Sequence, residues 1–131
     1  MKVLSLQEPY ATLIKDGYKK IETRSWKTNY RGELLIHASL GKSFQKTITN
    51  PEVLSLLKER NLNHGKIICQ ATLVDCVEMT EEFIKKAQAN HQEYILGIYG
   101  PGRYAWILED IIPLETPIEV KGKLGLWEYE K

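Results

Sequence analysis

Residues 17–26 read GYKKIETRSW. They gather Lys19, Lys20, Glu22, Arg24 and Trp26 into one short segment. On an extended backbone, Lys20, Glu22, Arg24 and Trp26 share one face, and Ile21, Thr23 and Ser25 share the other. At about 3.4 Å of rise per residue, Glu22 and Arg24 stand about 7 Å apart on the same side. Ile21 is expected to face the core. Lys19 stands at the strand mouth beside Gly17, where it can turn to either face. A neighbouring cation keeps Glu22 ionised, and the carboxylate in turn holds Arg24 as a fork for a phosphate or a base edge. A second chemistry is general acid–base work, with Lys19 polarising or transferring a proton and Glu22 as its partner. The plain alternative is a surface ion pair on a mixed-charge strand, worth about 0–1 kcal/mol.

Other residue types extend this constellation. Tyr10 either packs with Leu13 and Ile14 or forms a stacking wall for a base, worth about 1–3 kcal/mol per base. Trp26 either lines the cleft with Arg24 or plugs a barrel. His37 is either a cleft acid–base group or phosphate donor, or a hydrogen-bonded or exposed histidine. Lys42, Lys121 and Lys123 are candidate phosphate contacts or solvated lysines. The glycine between the last two allows close backbone approach to a ligand. Tyr99, Arg103 and Tyr104 surround GPG, which reads as a hairpin turn or as an aromatic–basic loop for single-stranded nucleic acid.

The elements that must position these groups are legible from pattern. Lys2–Leu6 reads as a strand. EPYATLIKDG reads as a helix, with Pro9 at its first position and Gly17 as its left-handed stop. Residues 19–26 and 32–39 read as strands. In the second, Leu34, Ile36 and Ala38 point one way, and Leu35, His37 and Ser39 the other. NPEVLSLLKERN is a helix capped by Asn50, with Asn61 at its end. Lys66–Glu78 is a strand long enough to need a bend or a bulge. TEEFIKKAQAN is a helix opened by Thr80 and closed by Asn90. Residues 104–108 and 111–114 are strand-like, and VKGKLGLWEYE is a last strand broken by glycine. Strands outnumber helices, without a regular βαβ rhythm. The expected class is α+β, a mostly antiparallel barrel with flanking helices.

Composition narrows the class. The chain has 131 residues, which fits one domain spanning 1–131. Residues 1–47 hold nine Lys/Arg against four Asp/Glu, although the whole chain carries only +1. That basic third is expected to form an electropositive face or to be scattered as solvated surface. No apolar run reaches the roughly 18 residues of a membrane span. The first residues lack a signal-peptide pattern. Cys69 and Cys76 are the only cysteines and are expected in the core, unpaired. The chain is therefore expected to be cytoplasmic. No metal and no organic cofactor is expected. There is no dinucleotide fingerprint, P-loop, zinc-protease motif or nucleophile elbow.

The chain resembles the ASCH (activating signal cointegrator homology) domain family, a branch of the PUA-like barrels. The family hallmark GxKxxExR stands here as Gly17, Lys19, Glu22 and Arg24. LSLQEPYA resembles the family start LSxxQPxA, RGELLIHAS its RGxLxIxA strand, and VKGKLGLW its closing turn. Glu8 stands where many members have Gln, which adds a negative charge near the expected cleft. The resemblance implies a PUA-like barrel, a fold that generally recognises RNA. It places the hallmark residues in a cleft for nucleic acid or a nucleotide. On that reading Lys19, Glu22, Arg24, Tyr10, Trp26, His37, Lys42, Lys121 and Lys123 form the ligand site, with RNA, single-stranded nucleic acid or a nucleoside as partner. Some relatives are enzymes that hydrolyse acylated cytidine or cleave RNA, which implies Lys19 and Glu22 as catalytic candidates. The amidohydrolase branch uses a threonine nucleophile at the position of Glu22, and a carboxylate cannot play that part. A third reading is a protein-interaction adaptor.

Overall fold

The computed structural model describes residues 1–42, 45, 47–58 and 60–130. Lys46, counted in the basic third, and Glu59, inside the expected second helix, lie outside the described residues. The elements run β1 (Lys2–Leu6), α1 (Tyr10–Lys15), β2 (Ile21–Arg24), β3 (Gly32–Ala38), α2 (Pro51–Leu57), β4 (Lys66–Glu78), α3 (Glu81–Gln88), α4 (His91–Ile95), β5 (Tyr104–Glu119) and β6 (Leu126–Glu128).

Local chemistry explains most of these boundaries. Asn50 caps α2 by accepting from the Glu52 amide at 2.8 Å, and Thr80 caps α3 by accepting from the Phe83 amide at 3.1 Å. Asn90 does not merely close α3. It opens α4 by accepting from the Glu93 amide, a short helix that hydrophobic periodicity alone does not announce. Pro9 occupies the cap of α1, one residue earlier than its expected place. Gly17 ends the turn after α1 at φ +87°, a conformation an L side chain resists. β4 carries the expected irregularity as register shifts against β3 and β5. The two strand-like segments after residue 104 are one strand, which continues through Asp110 at φ +50°.

The six strands form one mixed sheet in the order β2-β5-β4-β3-β1-β6. Only β1 and β3 pair in parallel; the other neighbours are antiparallel. β1 and β2 follow each other in sequence but lie towards opposite ends of this order. α1 and Gly17 therefore carry the chain across the opening. The sheet curls into a half-barrel around Leu4, Leu6, Leu34, Ile36, Ile68 and Trp106, all fully or almost fully buried. Each such aliphatic side chain contributes about 1.5–3 kcal/mol relative to exposure. A second cluster of Val3, Leu35, Ile67 and Trp127 packs against Leu114 and Ile118 of the far half of β5. α1, α2 and the end of α4 meet through Leu13, Val53 and Leu96. The fold is the expected α+β, PUA-like arrangement.

Candidate functional site

The strand expected over 19–26 forms only over Ile21–Arg24, where it pairs with β5. Its first residues are held by side chains instead. The Glu93 carboxylate accepts from the amides of Lys20 at 2.8 Å and Ile21 at 3.2 Å. Lys19 is not free to turn to either face. It is 1% exposed, and its Nζ donates to the carbonyls of Ile21 at 2.5 Å and Leu96 at 2.6 Å. The same Nζ lies 3.9 Å from Glu22 Oε1 and 5.4 Å from the centre of the Tyr10 ring. Burial pushes the Lys19 pKa below the ordinary lysine value, while Glu22 and then Glu93 pull it back up.

Glu22 and Arg24 do share a face, as alternation requires. Arg24 Nε donates to Glu22 Oε2 at 3.1 Å, and Arg24 Nη2 donates to the Ser5 carbonyl on β1. Both side chains are largely buried, so this is not the solvated surface pair of the plain alternative. They line a hollow of about 220 Å³ between the two ends of the sheet. Tyr10 of α1, the turn Leu96–Gly97–Ile98, and Leu124 with Gly125 complete its walls. Thr23 accepts from the Ile98 amide at 3.0 Å, which fixes that turn to β2. The Tyr10 phenol is pushed above its ordinary value, first by burial and then by the Glu22 charge.

The remaining candidates lie around this hollow or away from it. Trp26 is 37% exposed and stands beside the hollow, edge-on to Trp106 at 4.8 Å. It is Trp106, completely buried, that plugs the barrel. His37 is buried and does not line the hollow; its Nε2 meets the Val120 carbonyl at 2.9 Å and its ring packs edge-on to Trp127. Lys121 and Lys123 are exposed on the segment leading to Leu124, and Lys42 is exposed after Gly41, which neighbours Gln7 of the wall. Glu8 does not put its charge in the hollow. It is fully buried and accepts from the Thr12 amide and hydroxyl and from the Asn63 amide. In the GPG loop, Tyr99 stacks on Tyr94 and Arg103 Nε donates to the Ile98 carbonyl, as a packed turn. Cys69 and Cys76 are not joined. Among the described residues no helix is long and apolar enough to cross a membrane, and no cluster of metal-ligating side chains forms.

Sequence spacing missed Ser5, Glu93 and the 96–98 turn. Each joins the hallmark from a distant part of the chain, so no local period marks it. The one usable signal was Glu93 itself, a carboxylate just inside a helix opened by an Asn cap.

Comparison with known proteins bears on the family and the fold. Residues 4–118 match the model of the ASCH domain. Activating signal cointegrator 1 of Homo sapiens is 23% identical over 128 residues, covering 97% of this chain and 22% of that protein. Its Mus musculus counterpart is 26% identical over 129 residues, covering 97% and 22%. The chain thus spans less than a quarter of the length of these relatives. The crystal structure of ASCH from Zymomonas mobilis superposes with a TM-score of 0.61 at 19% identity, covering 99% of this chain and 87% of that one. A single-residue variant of the same protein gives 0.59 at 16% identity, covering 99% and 88%. At such identities the likeness is one of fold.

Proposed function

The chain belongs to the ASCH domain family, and from that premise we propose that it binds RNA or a nucleotide in the hollow between its sheet ends. One observation carries this reading. Arg24 is fixed by Glu22 and by the Ser5 carbonyl, yet its Nη1 has no hydrogen-bond partner among the described residues. Glu22 Oε1 likewise accepts no hydrogen bond among them. A preset donor and a preset acceptor therefore border one concavity, beside the aromatic wall of Tyr10. Such pairs suit heteroaromatic edges, where a carboxylate accepts from an amino group and a guanidinium donates to ring or carbonyl acceptors. PUA-like barrels generally recognise RNA, and unpaired bases are the part of RNA that stacks and hydrogen-bonds in this way.

The test is titration of a labelled single-stranded oligoribonucleotide at several salt concentrations. Binding is expected, weaker at high salt and weaker still in Arg24→Ala. Absence of binding to both RNA and free nucleosides sinks the reading.

A second reading has one observation in its favour. Lys19, with its pKa lowered by burial, lies 3.9 Å from a carboxylate, as an acid–base pair for a hydrolase would require. Incubation with N4-acetylcytidine and with RNA, followed by chromatography, separates the two readings. Turnover that disappears in Lys19→Ala selects the enzyme; binding without turnover selects the module.

A further inference from the structure

We propose that the site has two unlike parts: the hollow takes one uncharged base, and the strap 120–125 at its mouth takes the phosphates that flank it. This rests on the nucleic-acid reading above and adds a polarity to it.

The hollow is a poor place for a phosphate. Arg24 is already paired with Glu22 at 3.1 Å. Lys19 is 1% exposed, and two of its three donors go to carbonyls. A phosphate entering there would meet the Glu22 carboxylate, and the open guanidinium donor belongs to a cation already paired with that carboxylate. The volume of about 220 Å³ falls below the roughly 300–1,000 Å³ of typical small-molecule pockets. The walls from Tyr10, Leu96 and Leu124 are flat or apolar. A single planar heterocycle with a donor and an acceptor on one edge matches all of these properties.

The strap has the complementary character. Its backbone is tied down at four points among the described residues. The Val120 amide donates to the Gly65 carbonyl at 3.2 Å. Val120 O meets His37 Nε2 at 2.9 Å, Lys123 O accepts from Ser5 Oγ at 2.5 Å, and Gly125 O accepts from the Ser5 amide at 3.1 Å. Gly122 lies against the His37 ring, so close that a Cβ there would be 2.4 Å from Cε1. Ser5 thus anchors the strap through its amide and hydroxyl, and its carbonyl receives Arg24 of the hollow. The anchored strap carries Lys121 and Lys123, both exposed and without an ion pair among the described residues. Between the second lysine and the hollow lies Leu124, which is 96% exposed and also forms part of the wall. Trp26 stands across Gly125 from it, with its ring 3.5 Å from where a Cβ at that glycine would be. A single exposed leucine signifies little in itself. Lysines with an exposed indole beside them, at the mouth of a base-sized hollow, are the combination that binds single-stranded nucleic acid.

The experiment is competition against a fluorescent single-stranded oligoribonucleotide on the intact chain at one ionic strength, with direct titration of the same probe at several salt concentrations. The competitors are the four common ribonucleosides and inorganic phosphate. At least one nucleoside is expected to displace the probe, and phosphate is not. Lys121→Ala/Lys123→Ala is expected to weaken the oligonucleotide several-fold and to leave the nucleoside within twofold. It should also reduce the slope of log affinity against log salt by about 0.7 for each lost contact. These residues are exposed, so the variant retains its core. If phosphate competes and no nucleoside does, the polarity is overturned while nucleic-acid binding stands. If the double variant changes neither affinity nor slope, the strap has no phosphate role. If neither probe nor nucleoside binds the wild type, the underlying reading falls as well.

Discussion

Arg24 Nη2 donates to the carbonyl of Ser5, so a side chain of one edge strand closes onto the strand next to the opposite edge. No backbone ladder joins β2 to β6. The gap is bridged by side chains, with Trp26 over Gly125 on one side and the Arg24 fork on the other. The same gap is the hollow. The hallmark residues therefore build the closure of the half-barrel and line the hollow at that gap at the same time.

That double duty makes Arg24→Lys a demanding substitution. A lysine has no planar fork, so its single nitrogen cannot occupy both the Nε and the Nη2 positions from which Arg24 serves Glu22 Oε2 and the Ser5 carbonyl. Hydrogen bonds to charged groups contribute about 1.5–3 kcal/mol, and one of the two is lost. The denaturant midpoint should fall accordingly, with oligoribonucleotide affinity falling at least tenfold. Retention of full affinity would separate Arg24 from ligand binding.

Much of this was legible in the sequence where the signal was local. Alternation put Glu22 and Arg24 on one face, and Asn50 and Thr80 marked helix starts. Gly17 marked a stop. The misreadings arose where a distant group overrode the local pattern. Local spacing leaves Lys19 able to swing; the Ile21 carbonyl and, from the C-terminal end of α4, the Leu96 carbonyl hold its Nζ instead. Glu8, standing where many family members have Gln, is expected to add a charge near the cleft; Thr12 and Asn63 instead draw it inwards. His37 was a cleft candidate on its face of β3, but the strap covers that face.

Glu8 offers a test of that last kind of placement. One of its oxygens accepts from the Thr12 amide at 2.8 Å; the other accepts from the Thr12 hydroxyl and, at 2.8 Å, from the Asn63 amide. Glu8→Gln keeps a single acceptor oxygen. The Thr12 hydroxyl can rotate and accept from the new amide, but the Asn63 N–H cannot. An orphaned buried donor costs about 1–3 kcal/mol. Equilibrium unfolding should show that loss, with faster amide exchange at Asn63. Unchanged stability would mean that the buried carboxylate is not the tie between α1 and the 61–64 segment.

Lys19 predicts a pH dependence of definite sign. Its folded-state pKa lies below the unfolded 10.5, chiefly through burial. Between those two values the unfolded chain holds more protons than the folded one, so stability from this group rises with pH. It is fully present above 10.5 and lost as pH falls through the folded value. The difference in unfolding free energy between wild type and Lys19→Met should therefore grow from pH 8 towards 10.5 and then level off. At neutral pH the variant should still be the less stable, because the Ile21 and Leu96 carbonyls lose their donor. A difference that shrinks with pH contradicts the assignment.

The strap gives the last prediction. Gly122 approaches His37 so closely that Gly122→Ala places Cβ 2.4 Å from Cε1. His37 is 2% exposed and packed edge-on to Trp127, so the ring has little room to yield. The strap must lift, which breaks the Val120–His37 hydrogen bond and shifts Leu124 away from the hollow. Because the main cluster in the half-barrel does not include these residues, most of the folding stability should persist. Oligoribonucleotide affinity should fall several-fold, with displaced NMR resonances at His37 and Ser5. Normal affinity in a variant whose His37 resonance has moved would show that strap position does not matter to binding.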